Sequence, residues 1–448
     1  MHSNDWNKED TFTLCLFSPR NPLLDRGLEG LDEVLDFVES LDAQLRPNLV
    51  YLSRDRKYSR KLVHERLHEF RFGTSTSIYF ARTRPINEEL GFKFYDQSVE
   101  DTFFTIDLTL RPFAVVREEG RAEERTYQLL SLVRSFAQRF PLSYGLAHSS
   151  LDFHLGSDPH SSNSRAPKGV YEAYWLNVYG PRLVEQLGRQ RVLSTPSAHL
   201  EELPGGAILW LTRPTPADFD SEEARLAQAR ALVHLRPELK LEDTLATLRQ
   251  RSLIFTPLPF QFDEDVADIL QWEVEARGLE DKRKLVERFN AYHPPPVSEW
   301  LPASQAPTPD VGDVQRVIDN YEGLHAEQLV ALLHKEIPAL MSGSVEAIPR
   351  VDFHLWHSGW GKRLPDEEKE LLIPALGAWL GMHLVHSLGG RWVPRRTLEE
   401  SAVVLGDRAW LPFLRARHAI QGRDAPLDSS CTQLFRLAQR LSARLRSH

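Results

Sequence analysis

The stretch Asp101–Val116, "DTFFTIDLTLRPFAVV", followed closely by Arg121–Phe140, "RAEERTYQLLSLVRSFAQRF", sets the fold class. Aromatic and β-branched residues fill the first segment, as in a strand whose side chains pack on a pleated surface. The second repeats its apolar residues at helical spacing and is closed by Pro141, which cannot continue a helix. The same alternation runs outward in both directions. Upstream, "TFTLCLF" from Thr11 and "STSIYFART" from Ser75 read as strands, while "GLEGLDEVLDFVESLDAQL" puts Leu31, Val34, Leu35, Val38 and Leu41 on one helical stripe. Downstream, "YGLAHSSLDFHL" and "GAILWLT" read as strands. "SEEARLAQARALVHL" reads as a helix, as does "DEDVADILQWEVEARG", the latter capped by Gly278. Strands alternating with helices, with some strands adjacent, predict an α+β domain: a mixed sheet with helices packed on one or both faces.

The chain has 448 residues, beyond the roughly 250–300 at which a single core usually splits. The boundary reads at "YHPPPVSEWLPASQAPTPDVGD", Tyr292–Asp313, where six prolines favour an extended linker. This predicts an α+β domain over 1–292, a linker over 293–312 and a smaller, mainly helical α+β domain over 313–448. In the latter, "VGDVQRVIDNYEGLHAEQLVALLHKEI" and "EEKELLIPALGAWLGMHLVHSLGG" read as helices around a strand-like "VDFHLWH". The chain closes on a basic amphipathic helix with Leu434, Leu437, Leu441 and Leu445 in line. "DFHL" occurs at Asp152 and again at Asp352, a repeat of the size chance produces, with unmatched flanks.

Two cysteines, Cys15 and Cys431, are too few for a disulfide framework and fit a reducing cytoplasm. The polar N-terminus lacks the pattern of a secretory signal, and no apolar run reaches 18 residues, so no membrane span is expected. The net charge of −9 argues against nonspecific nucleic-acid binding. From Asp313 onward there are 17 Lys+Arg and 16 Asp+Glu, against 37 and 47 before it, which assigns the acidity to the N-terminal domain.

No P-loop, G-x-G-x-x-G, G-x-S-x-G or H-E-x-x-H occurs. A constellation of possible metal ligands remains: Asp352, His354 and His357, with His383 and His386 spaced to present two imidazoles on one helix face. These five would carry an alternative reading as a metal-dependent hydrolase. Basic residues cluster in "DRKYSRK" and "RKLVHERLHEFRF", either reading an anionic surface or balancing nearby carboxylates. In "YEAYWLNVYGPRLVEQLGR", Tyr171–Arg189, rings surround an asparagine before a Gly-Pro step and an apolar stripe. Rings for a core, a short amide for a bend and a helix start describe scaffold, without a nucleophile and base in register.

The order and spacing of Trp175, Leu176, Asn177, Gly180, Pro181, Leu187, Gly188, Gly205, Gly206, Pro214 and Asp218 resemble the bacterial type VI secretion immunity family described as protecting against VRR-NUC nuclease toxins. The match spans about Tyr171–Leu235 and departs at Arg189, where the family pattern has a second glycine. The resemblance implies a noncatalytic protein without cofactor that binds a cognate toxin and blocks it by occlusion. An acidic face meeting a basic nuclease groove would speed that association. The domain after the linker, absent from short family members, is similar to small bacterial domains of unknown function through Leu-Gly-x-x-Leu-Gly and Gly-Gly-x-Trp, here Leu376–Gly381 and Gly389–Trp392.

Overall fold

Eleven strands among the described residues pair into one sheet in the first part of the chain. They are Phe12–Ser18 (β1), Leu49–Leu52 (β2), Arg54–Lys57 (β3), Arg71–Phe72 (β4), Ser75–Arg82 (β5), Asn87–Val99 (β6), Thr102–Arg111 (β7), Tyr144–Ser149 (β8), Leu176–Tyr179 (β9), His199–Glu202 (β10) and Ile208–Leu211 (β11). The computed structural model describes residues 6, 9–83, 87–99, 102–118, 120–156, 170–358, 365–421 and 427–446. Sheet order is β10-β11-β9-β8-β1-β7-β6-β5-β2-β3, with β4 added beside β5. Every recorded pairing is antiparallel, so the α+β class holds while the expectation of a mixed sheet does not. The reason lies at β1. The helix crossover from β7 to β8 passes over β1, which inserts between them, so the two parallel strands it joins never touch.

Aromatic rings fasten the helices to this sheet. Phe104 of β7 stacks on Phe94 at 4.8 Å and on Phe136 of Ala122–Arg139 at 5.8 Å. Phe136 meets Phe37 of Leu28–Ser40 edge-on at 5.7 Å. All four rings are buried, and each buried aromatic of this size contributes on the order of 1.5–3 kcal/mol. Two strands end sooner than the residue types predict. β7 stops at Arg111 because Pro112 has no N–H for the ladder, and Ala114–Arg117 turns helical. β8 stops at Ser149, and Ser150–Gly156, read above as strand, is a helix whose first N–H groups are met by Asp10 and Ser149. Ser221 caps Glu222–Leu235, accepting from Ala224 N at 3.1 Å. The helix Leu241–Phe255 was not anticipated.

The chain divides into two compact units at Pro257/Leu258, ahead of the proline-rich stretch. Segment 293–312 lies inside the second unit: Val297 is buried in its core, and Trp300–Pro302 (β12) is a strand. Prolines leave a strand edge tolerable, and β12 is an edge strand. It pairs with Arg408–Trp410 (β15), which continues to Ala402–Leu405 (β14) and Arg391–Val393 (β13), all antiparallel. The second unit also holds helices including Ala267–Glu275, Leu279–Asn290, Ala347–His357, Asp366–His386, Pro412–Gln421 and Cys431–Arg446, of which Asp366–His386 packs against β13 and β14. Gly278 does not end the first of these; it precedes Leu279–Asn290 as that helix's N-cap. "VDFHLWH" is helical rather than strand-like, burying Ile348, Val351, Asp352 and Leu355 at helical spacing. The C-terminal helix packs onto its own unit, with Leu434 and Ala438 wholly buried in the core. Among the described residues no helix is long and apolar enough to cross a membrane.

Candidate functional site

The segment Tyr171–Arg189 contributes the third strand from the β10 edge of the large sheet and the helix after it. β9 lies between β8 and β11 with all four residues, Leu176 and Asn177 among them, buried. Asn177 closes the bend before the strand: Oδ1 accepts from Tyr174 N–H at 3.0 Å, and Nδ2 donates to Tyr174 O at 2.9 Å. Trp175 sets its ring edge-on to Phe12 at 5.8 Å and donates Nε1–H to Arg213 O at 3.1 Å. Pro181 opens the helix Pro181–Leu187, where Leu187 is half-buried and Gly188 follows as C-cap. A Cβ at Gly180 would sit 2.4 Å from Leu142 O, so no other residue fits there without moving the chain. Gly205 and Gly206 both hold φ at 81° in the turn before β11, where side chains are strained. Pro214 is exposed, and Asp218 pairs with Arg213 and accepts from Ser221 Oγ at 3.4 Å.

From this segment one hydrogen bond leads into a charged cluster that the sequence did not disclose. Trp175 N–H donates to His148 Nδ1 at 3.2 Å, which places the His148 proton on Nε2, facing Asp152 Oδ2 at 2.7 Å. Arg225 closes a fork on the same carboxylate, Nη1 at 2.7 Å and Nη2 at 2.8 Å, and donates Nε–H to Ser252 Oγ at 2.8 Å. Arg251 lies 3.8 Å from Asp152 and 2.9 Å from Glu172. Two carboxylates thus face two guanidiniums around a histidine, nearly all of it withdrawn from water: Asp152 is 1% exposed and His148 3%. Burial would raise the Asp152 carboxyl, but hydrogen bonds from His148 and Arg225 overcome it and hold the group well below the ordinary carboxylate range. Burial pushes His148 down and Glu172 up.

A histidine oriented by an aspartate is the arrangement that activates hydroxyl or thiol nucleophiles. Here the imidazole has no nitrogen left for that task. Nδ1 is occupied by a backbone N–H and Nε2 by the carboxylate, while Tyr174 and Phe219 cover the ring at 5.7 and 5.3 Å. The cluster ties together β8, the Ser150–Gly156 helix, the Tyr171–Trp175 approach to β9, and two later helices. His148 and Asp152 are visible as an i, i+4 pair, but nothing in a single sequence joins them to Arg225, 73 residues on.

A second buried carboxyl behaves differently. Glu88 on β6 is 1% exposed, neither oxygen has a hydrogen-bond partner among the described residues, and burial pushes it up to about 8. A carboxyl raised in the folded state binds its proton more tightly there than in the unfolded chain. The associated stability is therefore complete below the ordinary carboxyl value of 4.5 and disappears as pH rises through about 8. Relative to the native chain, Glu88→Gln is expected to be near neutral at pH 5 and stabilising by a few kcal/mol at pH 9. Urea unfolding at the two pH values checks this; a difference independent of pH would count against it.

The five candidate metal ligands are not gathered. Asp352 is spent at the start of the C-terminal helix, accepting from Cys431 N at 3.0 Å, Thr432 N at 2.7 Å and Thr432 Oγ1 at 2.5 Å. His357 Nδ1 binds Glu273 at 2.7 Å, and His386 Nε2 binds Glu322 at 3.1 Å. His383 is packed 4.5 Å from the Trp379 ring, and burial takes it down to about 4. Burial also lowers His354, which lines a groove on the second unit. Among the described residues no three His, Cys, Asp or Glu side chains are placed to share a metal. Helix His-x-x-His spacing favours a site only when both rings turn the same way into open space, and here one is in the core and one at the surface. Dialysis against a chelator is expected to leave the second unit's melting temperature unchanged; a drop restored by zinc would contradict the separation of these residues.

The basic segment after β3 is largely balanced internally. Arg60 bridges Asp32, Asp36 and Glu39, Arg66 meets Glu69, and Arg71 pairs with Asp96. β3 itself, at the sheet edge, exposes Arg54, Arg56 and Lys57, charges that discourage edge-to-edge association. The acidity also redistributes at the true boundary. Residues 1–257 hold 32 Lys+Arg and 36 Asp+Glu, residues 258–448 hold 22 and 27, and the strongly acidic 258–312 belongs to the second unit.

Fold and cluster define an α+β protein whose densest ionisable constellation is internal. Compared with family models, curated proteins and solved structures, the chain matches none of them.

Proposed function

We propose that the chain is a cytoplasmic, noncatalytic binding protein that neutralises a cognate secreted toxin by occlusion, a nuclease being the class the motif resemblance implies. One observation supports the noncatalytic part of this reading. The His148–Asp152–Arg225 constellation, the arrangement nearest to catalytic machinery among the described residues, ends in partners of its own and is closed to solvent. Such a network specifies a rigid shape at the cost of buried charge, which suits a protein that must present a fixed surface. The eleven-stranded sheet offers a broad platform for that surface, and the family-like residues Trp175, Asn177 and Gly180 hold the β8-β9-β11 side of it. Net charge contributes little to steering in the first unit, so complementarity would come from local surface features.

The test is coexpression of the chain with the product of the neighbouring open reading frame. The reading requires cell survival together with a stoichiometric complex of the two purified proteins. Survival without a complex would overturn it, as would turnover of a substrate by the pure chain.

A further inference from the structure

The helix Ala347–His357 places Arg350, Phe353, His354 and His357 at i, i+3, i+4 and i+7, on one face. That face lines a cavity of about 480 Å³ in the second unit, whose opposite walls are Trp272 and the apolar turn Ile337–Ala339. A second recess of about 360 Å³ shares Trp272 and Arg350 with the first. Trp272 meets Phe353 edge-on at 5.7 Å, and Phe353 stacks on His357 at 5.0 Å, so three rings form a continuous row. His357 is fixed by Glu273, 4% exposed, which is itself held by Arg277 at 2.6 and 2.8 Å.

At the end of this row the Arg350 guanidinium stands 5.0 Å from the centre of the Trp272 ring. No carboxylate lies within ion-pair distance of it among the described residues, in contrast to Arg60, Arg71 and Arg225. The Trp272 ring orients the guanidinium while leaving its N–H groups available to a bidentate acceptor. The volume is within the range of small-molecule sites, roughly 300–1,000 Å³. A dianion is disfavoured: Glu336 lines the cavity, and Arg350 is the single guanidinium among the lining residues. A cation would meet Arg350 itself.

We propose that this cavity binds a small aromatic carboxylate, its ring against Trp272, Phe353 and the apolar turn, and its carboxylate on the Arg350 fork. This inference is independent of toxin binding. The probes are 1-naphthoate and its neutral isostere 1-naphthamide, titrated into the full chain by calorimetry. Naphthoate is expected to bind with a Kd on the order of 0.1–1 mM, in keeping with its size. Naphthamide is expected to bind at least about tenfold more weakly, the difference a charge-assisted bidentate contact supplies. Arg350 is exposed, so Arg350→Gln should leave the fold intact, as circular dichroism would verify, and should reduce naphthoate affinity to that of the amide. Equal binding of acid and amide, unchanged affinity in the variant, or no binding of naphthoate at 10 mM (about ten times the weakest Kd expected) would each overturn the assignment.

Discussion

Arg225→Met is expected to destabilise the first unit by about 3–5 kcal/mol, the range found when one partner of a buried ion pair is removed. The substitution keeps most of the side-chain volume, so the loss comes from charge rather than from a cavity. Asp152 would keep His148 at 2.7 Å and the more distant Arg251 at 3.8 Å, in place of a two-bonded guanidinium. Gln228 and Ser252 would each lose a donor from the same side chain. The measurement is urea unfolding, read as a lower midpoint at unchanged slope. A loss below about 1 kcal/mol, the level of a surface pair, would mean the cluster is not closed to water. The double variant Asp152→Leu/Arg225→Met removes both charges together and is expected to recover much of the loss, because an uncompensated ion costs more than an absent pair.

Gly381→Ala should destabilise the second unit, although alanine favours a helix interior over glycine by about 1 kcal/mol. Gly377 and Gly381 lie one turn apart on Asp366–His386, and their bare backbone receives two aromatic rings. A Cβ at Gly381 would lie 2.0 Å from Trp392 Cη2, and one at Gly377 would lie 2.7 Å from the Phe413 backbone. Trp392 has little freedom to withdraw. It is 3% exposed, donates to Glu322 at 3.0 Å and packs against Tyr321 at 5.1 Å and Phe413 at 5.8 Å. Overpacking of this kind costs about 1–3 kcal/mol or more and here outweighs the propensity gain. A thermal shift downward is the expected readout, larger for Gly377→Ala, whose clash is with main chain; stabilisation by either variant would contradict the packing described.

The elements that the sequence disclosed are those where local pattern and tertiary demand agree. β1, β5 and the helices Leu28–Ser40 and Ala122–Arg139 carry clear periodicity, and Glu222–Leu235 carries a capping side chain at Ser221. The Leu-Gly-x-x-Leu-Gly and Gly-Gly-x-Trp patterns were visible as text, but only the fold shows that Trp392 of one rests on Gly381 of the other. Three features misled. The proline-rich stretch looked like a linker because its one strand is three residues long and pairs with β15 more than 100 residues later. "VDFHLWH" and "SSLDFHL" contain strand-forming residues whose burial is decided by helical neighbours. The sheet seemed mixed because β1, at the start of the chain, separates β7 from β8. The charged cluster was illegible for the same reason as the groove at Trp272: each joins residues far apart in sequence, and neither leaves a local spacing to read.

The central claim is that the buried cluster shapes a binding surface and does no chemistry. Protection of cells from the neighbouring gene product by the Asp152→Leu/Arg225→Met double variant tests it most directly, with folding verified by the urea midpoint. Full protection and an unchanged complex affinity are predicted. A variant that folds as stably as the native chain, binds the partner equally well and yet fails to protect would show that Asp152 and Arg225 act on something beyond the scaffold, and the account would be wrong.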